Sequence, residues 1–436
     1  MKKLTGLFLT LIALFALSAC TTALGEDIVD FSESQQQVET ITVWMDDADG
    51  VYMNELIPAF NAVYPDIEVL FQPMGALDSR DRLKTYGVSG NGADVFMFPH
   101  DHLSLAILED LVYPLPSSTY DLLNGRILDV ALDIATAGTR SEASPTLYAV
   151  PISIESVFMM YNKDMLTQEE IDTYNLDTWQ GIIDYAPIYE AANPGKYLIT
   201  SNSHWADNYF NQEIYSAFGW RPHGVDGTDP TQVGFVSDNL LNALTWLTTE
   251  LKPAVTGDKS YNSRSTSYFE QSSAAMIITG PWAITGFVDK LGEENLGALT
   301  MPTFDGIEGA TYTPSTFAGS QMVAVYKYSQ HKEAAIKFVE FLASDVAQNL
   351  LYQTSNDCPA LQDLSVIDGI GDDVFMQVMI TQLATSIPMP TISVVSYYWA
   401  AAETMVKNIW DTNADIRTEQ IKAEASFLAS KTLGSS

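Results

Sequence analysis

Apolar positions along the chain follow two rhythms. Short continuous runs rich in β-branched and aromatic residues read as buried strands. They cover residues 41–44, 67–71, 94–98, 274–278 and 321–326, and a further strand is predicted to end at Met301-Pro302-Thr303-Phe304. Elsewhere apolar residues recur at three- and four-residue spacing, as on one face of a helix. This pattern is carried by Leu56, Phe60 and Val63, by residues 179–192 and 240–251, and by Ala335, Phe338, Val339 and Leu342. Asn193-Pro194-Gly195 and Pro253 are the predicted stops of the second and third of these helices. Pro58 lies inside the first and predicts a helix that starts late or kinks. Strand, helix and strand repeated at this spacing predict an α/β fold built on parallel sheets.

The run from Leu147 to Asp164 reads as one long strand with a single carboxylate, Glu155, at its centre. A charge in a buried strand is costly unless something pairs with it. Either a structural ion pair holds Glu155, or the strand crosses there between two bodies and opens a site.

The length of 436 residues suits two domains. Composition is ordinary for a globular protein, with 47% hydrophobic and 17% charged residues, but 21 basic against 55 acidic residues give a net charge of −34. Such a balance excludes nucleic acid, whose phosphates need a basic surface, and docking by charge on anionic headgroups. A solvated acidic surface that keeps the protein soluble is the simplest reading.

The first residues read as a targeting segment. Lys2 and Lys3 precede an apolar stretch over 4–17, too short to span a membrane comfortably, and Leu17-Ser18-Ala19-Cys20 follows. Small residues ahead of a cysteine resemble the bacterial lipoprotein signal. Residues 1–19 would then be removed and Cys20 acylated, anchoring the chain by lipid. Loss of Lys2 and Lys3 makes the mature charge two units more negative than −34. Residues 20–40, polar and Gln/Ser-rich, read as a flexible tether. With Cys20 modified only Cys358 remains, so no intramolecular disulfide is possible.

Candidate chemistry is sparse. Asp46-Asp47-Ala48-Asp49-Gly50 suggests a calcium loop, but with Gly50 at the sixth position Met45 and Leu56 stand where carboxylates are needed. Pro99-His100-Asp101-His102 follows a predicted strand, where α/β folds bind ligands, and reads as a polar ligand loop rather than a metal site. No G-x-S-x-G elbow, Walker loop or dinucleotide-binding glycine motif is present. Fifty-five carboxylates make an imagined glycosidase pair cheap. Aromatic residues at element ends, Phe98, Tyr209, Trp282, Tyr398 and Trp399, suit pyranose rings, whose hydroxyls suit nearby carboxylates and amides. Taken singly, each of these rings suits core packing as well.

Several segments, in order, resemble the solute-binding proteins of ABC transporters, above all the maltose/maltodextrin-binding family. They are Ala93-Asp94-Val95-Phe96, Pro99-His100-Asp101, Tyr148-Ala149-Val150-Pro151-Ile152, Tyr161-Asn162-Lys163-Asp164, Gly280-Pro281-Trp282, Pro302-Thr303-Phe304-Asp305-Gly306 and Met389-Pro390. The resemblance covers residues 41–429. It implies a two-lobed fold of the type II periplasmic-binding class, each lobe a mostly parallel sheet flanked by helices. The implied lobes are 41–153 with 317–368 and 157–312 with 372–436, with a first crossover at 153–157 and a ligand cleft between them. Carried over, Asp101 and Glu155 accept sugar hydroxyls, and Tyr209, Trp282 and Trp399 stack on sugar rings, with Tyr398 beside them. Asp207 stands where the family has a glutamate, and Phe98 where it has a tryptophan. Asp49 lies near a family lysine, His102 and Glu403 replace arginines, and Ala400 replaces an aromatic. The implied function is a non-catalytic, monomeric, lipid-anchored receptor on the outer face of a bacterial membrane. It would deliver a maltodextrin to a permease, with no cofactor and no metal. A different oligosaccharide such as a cyclodextrin, a surface glycoside hydrolase and a purely structural lipoprotein are the alternatives.

Overall fold

A computed structural model describes residues 38–47, 50–137, 146–255 and 265–434. Cys20 lies outside them, as do the tether up to residue 37 and Asp49. Strands β1 (Glu39–Met45), β2 (Ile67–Pro73) and β3 (Val95–Pro99) open the chain. Next come a short ribbon of β4 (Thr136–Ala137) and β5 (Thr146–Leu147), then β6 (Val150–Glu155), β7 (Phe158–Asn162) and β8 (Tyr197–Ser201). The later strands are β9 (Ala274–Thr279), β10 (Leu296–Leu299), β11 (Phe317–Val325) and β12 (Ile387–Pro388). They form two main sheets. One has the order β12-β11-β3-β1-β2, with β6 also on β11, and the other β10-β7-β9-β8. Helices flank both, and the architecture is the two-lobed type II binding fold.

The long apolar run is two strands rather than one. β6 ends at Glu155 in the first sheet, and β7 begins at Phe158 in the second. The unbroken hydrophobic pattern hid the break because both strands are buried on both faces, which removes the usual alternation. In β7, Phe158 and Met160 face the core that contains the first sheet, while Met159 and Tyr161 face the other core. The helix Val374–Leu383 covers the former side, burying Phe375, Met376 and Met379 in that same core.

Parallel pairing holds for β1 with β2 and with β3, for β11 with β12 and for β8 with β9. The expectation of mostly parallel sheets fails in the second, where β7 runs antiparallel to both β9 and β10. β11 is likewise antiparallel to β3 and β6. The physical reason is the crossing itself. β7 and β11 enter their sheets directly from the other sheet, without the helical return that makes neighbours parallel.

Three local expectations change. The first helix runs unbroken over Val51–Val63 with Pro58 inside, neither starting late nor ending there. Pro58 and Asn54, whose carbonyl loses its partner, are both exposed, so water can satisfy it. Pro253 does not close its helix. Asp238–Trp246 passes into a π-helical turn, Leu247–Leu251, and one more turn, Lys252–Ala254, contains the proline. The strand expected to end at Met301-Pro302-Thr303-Phe304 stops at Leu299, and Thr303 makes only an isolated bridge to Thr178.

The chain passes between the sheets after β6, before β11 and before β12, and a hydroxyl cluster ties these passages together. Ser156 Oγ lies 2.7 Å from Thr316 Oγ1 and 3.1 Å from Ser386 Oγ, and it donates to the Phe317 carbonyl at 2.8 Å. Thr316 Oγ1 and Ser386 Oγ are 2.6 Å apart. Ser156 and Thr316 are fully buried, so each lost partner costs its desolvation. Ser156→Ala is expected to destabilise the fold by about 1–3 kcal/mol, read as a lower midpoint in urea. An unchanged midpoint would mean that the cluster contributes nothing.

Candidate functional site

The loops between the two sheets bring most of the expected residues together. Glu155, the last residue of β6, sits opposite Gly319 of β11. Gln321 Nε2 donates to Glu155 Oε1 at 3.3 Å. A Cβ on Gly319 would stand 3.2 Å from Glu155 Cγ and 3.3 Å from the Tyr209 hydroxyl. Glycine therefore lets Glu155, from the first sheet, approach Tyr209, from a segment beside the second. The Tyr209 hydroxyl is buried and has no hydrogen-bond partner among the described residues.

Aromatic rings surround this point. Tyr209 lies 6.1 Å from Phe317 and 6.4 Å from Trp282 between ring centroids. Trp282 follows Gly280-Pro281 and is 43% exposed. It lies over Gly280, where a Cβ would meet its ring at 2.2 Å, and its indole donates to Asn202 Oδ1 at 2.7 Å. Trp399, on the helix Val395–Thr412, donates from Nε1 to Asp101 Oδ2 at 2.9 Å. Asp101 belongs to the single turn His100–His102 that follows β3, and is buried. The Trp399–Asp101 bond thus spans the gap between the helix and the end of the first sheet. Ser104 Oγ and the Thr391 carbonyl make a second link of this kind. Asp207 accepts the Tyr209 N–H at 2.9 Å and so holds the Tyr209 turn in place.

Two expected ligand contacts are core residues. Phe98 has no exposed surface and packs 5.1 Å from Phe96 in the first core. Its position in a fully buried central strand leaves no face for a sugar. Tyr398 is equally buried, stacked at 5.7 Å and 14° on Phe235. Helical periodicity is the reason: Val395, Tyr398, Ala401 and Ala402 form the inward stripe, so Trp399 alone of the pair turns toward the cleft.

Sequence reasoning missed Gln321, Gly319, Asn202 and Asp357. Only Gly319 left a trace, in the small residues of Ala318-Gly319-Ser320 at the start of a strand. Asp357 lies in an irregular loop, and nothing local distinguishes it from the other acids. Electrostatically it matters most. The Glu155 carboxyl is pushed up to about 8, first by burial and then by the negative charge of Asp357, with a smaller push from Asp101. The Gln321 bond acts in the opposite sense. Asp357 is itself pushed up to about 6, by burial and then by Asp46. Burial lowers His100, whose Nδ1 accepts the Ser320 N–H at 3.1 Å, so its imidazole is neutral. Among the described residues no group of three or more His, Cys, Asp or Glu side chains is placed to hold a metal.

A cleft of aromatic faces, carboxylates and amides between two lobes is a binding site for a polar ligand with flat apolar faces. The chain belongs to the bacterial extracellular solute-binding protein family, whose model matches residues 55–414. It is similar to the maltooligosaccharide ABC transporter solute-binding lipoprotein of Streptococcus pneumoniae, 25% identical over 96% of this chain and 94% of that one. It is also similar to the galactooligosaccharide-binding protein of Bacillus subtilis, 23% identical over 95% and 94%. In three dimensions it matches MalX from Streptococcus pneumoniae in complex with maltopentaose, with a TM-score of 0.76 and 22% identity. That match covers 89% of this chain and 100% of MalX, and carries the fold.

Two outcomes test these placements. Phe98→Ala should cost about 3–5 kcal/mol of stability, as a large core truncation does, measured by chemical unfolding. A ligand-contact role would instead leave stability nearly intact. Glu155 takes up a proton on folding between pH 4.5 and about 8, so wild-type stability falls as pH rises through that window. Glu155→Gln removes the penalty and should raise the thermal midpoint at neutral pH. The difference should close below about pH 4.5, where the carboxyl is protonated in both states. A constant difference at all pH values would contradict the shifted carboxyl.

Proposed function

We propose that the protein is the lipid-anchored receptor of an ABC importer and binds a maltodextrin-type oligosaccharide. The observation that carries this reading is the set Tyr209, Trp282 and Trp399 gathered around Asp101 and Glu155 between the lobes. Rings take the apolar faces of the glucose units, and the carboxyl groups and amides take their hydroxyls. The names of the pneumococcal relative and of the maltopentaose complex support an α-glucan.

In this reading residues 41–153 with 317–368 form one lobe and 157–312 with 372–436 the other. They close on the sugar because both lobes touch it only when shut, so binding favours the closed state. The closed form is what a membrane permease then recognises. Asp207 completes the polar rim, and the expected contact Asp49 lies outside the described residues. A lipid on Cys20 holds the receptor, as a monomer, at the outer face of the cell membrane. It performs no chemistry, since a receptor that cleaved its cargo would defeat import.

Calorimetry with maltose, longer maltodextrins, a cyclodextrin and a galactooligosaccharide separates the candidate ligands. Release of glucose from maltotriose would replace the receptor with a glycoside hydrolase. Trp282→Ala should weaken maltodextrin binding tenfold or more. Its half-exposed ring predicts a stability cost of no more than about 1 kcal/mol. Unchanged affinity in the folded variant would remove Trp282 from the site.

A further inference from the structure

The charges gathered at the cleft floor are all of one sign. Those acting on Glu155 come from Asp357 and Asp101, those on Asp357 from Asp46, and those on Tyr209 from Glu155, Asp207 and Asp101. Two elements carry charge to Glu155 itself, the loop holding Asp357 and the turn His100–His102 with Asp101, while Asp207 acts on the neighbouring Tyr209. β11 contributes only the neutral Gly319 and Gln321, and His100 is neutral. An ion pair for Glu155 is therefore absent among the described residues.

Unpartnered polar groups collect at the same point. The Tyr209 hydroxyl and Gln321 Oε1 are buried and have no hydrogen-bond partner among the described residues. Ser153 Oγ, on a residue only 2% exposed, has none either. It precedes Glu155 by two positions and so lies on the same face of β6. Buried polar groups without partners are costly, and a ligand that supplies both donors and acceptors relieves them. An ionised glutamate offers acceptors only, whereas a neutral carboxyl offers a donor as well.

We propose that Glu155 serves the cleft as a hydrogen-bond donor to an uncharged glycan, and that the surrounding carboxylates exclude acidic sugars. This rests on the oligosaccharide-receptor reading and refines it to a class of ligand. The donor exists while the carboxyl is neutral, and burial with Asp357 nearby keeps it so up to about pH 8. Binding is then retained at neutral pH and lost as pH rises through that value. A uronate or a sugar phosphate brings a further negative charge beside Asp101 and Asp357 with no cation among the described residues to meet it.

The test is maltotriose affinity by calorimetry across pH, with circular dichroism at each pH to establish folding. Wild type should bind about tenfold more weakly at pH 9 than at pH 7, the fall expected when one neutral carboxyl is required. Glu155→Gln keeps a donor; it should bind a few-fold more weakly than wild type at neutral pH and lose the alkaline fall. Glu155→Ala should bind tenfold or more weakly at every pH. Asp357→Asn removes a neighbouring charge and should move the fall to lower pH, a shift that a purely structural role would not produce. A maltotriose analogue ending in glucuronate should compete at least tenfold less well than maltotriose. A flat wild-type profile, with the glutamine variant as impaired as the alanine one, would make Glu155 an acceptor and overturn the proposal. Equal binding of the glucuronate analogue would overturn the exclusion. Failure of every uncharged glycan at every pH would sink the receptor reading itself. Losses confined to the Glu155 variants leave that reading standing.

Discussion

Everything else in this molecule depends on three hydroxyls, two of them fully buried, meeting where the chain passes between its sheets. Ser156, Thr316 and Ser386 come from positions far apart in sequence, yet their oxygens lie within 3.1 Å of one another. No single passage could fix the geometry of two lobes, because one strand is free to twist. Three passages bound together define an axis. The ligand groups sit close to it: Glu155 immediately precedes Ser156, and Gly319 follows Thr316 by three residues. Residues near an axis move little when the bodies about it rotate. Glu155 and Tyr209 can thus hold their relation while Trp282 and Trp399, further out, approach or leave the ligand.

The cost of the site is electrostatic. Burying several carboxyl groups without a cation disfavours the folded state above their normal titration range, and only a large core can carry it. Two extensive hydrophobic clusters surround the sheets. The acidic surface belongs to a different problem, that of keeping a protein of this size apart from its neighbours.

Much of this was legible in the sequence, for identifiable reasons. Trp179–Ala192 is delimited at its end by the breaker Asn193-Pro194-Gly195, and the strands around Trp44 and Phe96 follow from their β-branched and aromatic runs. The hydrophobic pattern alone did not show the division of the run at Ser156, since strands buried on both faces lose the alternation that marks an end; the family resemblance implied a crossover at 153–157, and the break falls inside it. Phe98 and Tyr398 were misassigned because an aromatic at the end of an element looks the same whether it points in or out. Direction came from pairing for the one and helical phase for the other. Asp101, Glu155 and Trp282 stand in motifs whose order the resemblance reads, and the structure brings them near one another, while Asp357 and Gln321 act through distances that no local pattern encodes. Of the adjacent pair, Tyr398 is core, and Trp399 reaches Asp101.

β11 lies between β3 on one side and β6 on the other, and its first residue is Phe317. As a ribosome makes the chain, β1, β2 and β3 can pair early, but β3 and β6 cannot yet be joined into one sheet. Their shared partner arrives only after most of the polypeptide has been synthesised. The second core has the same difficulty, because Val395–Thr412 and the helix after it close one of its sides. Neither half can finish folding during translation, so its contacts are long-range and its folding slow. For the exported receptor proposed above, this lateness is useful if the chain crosses the membrane extended. A polypeptide whose cores close last stays threadable longest.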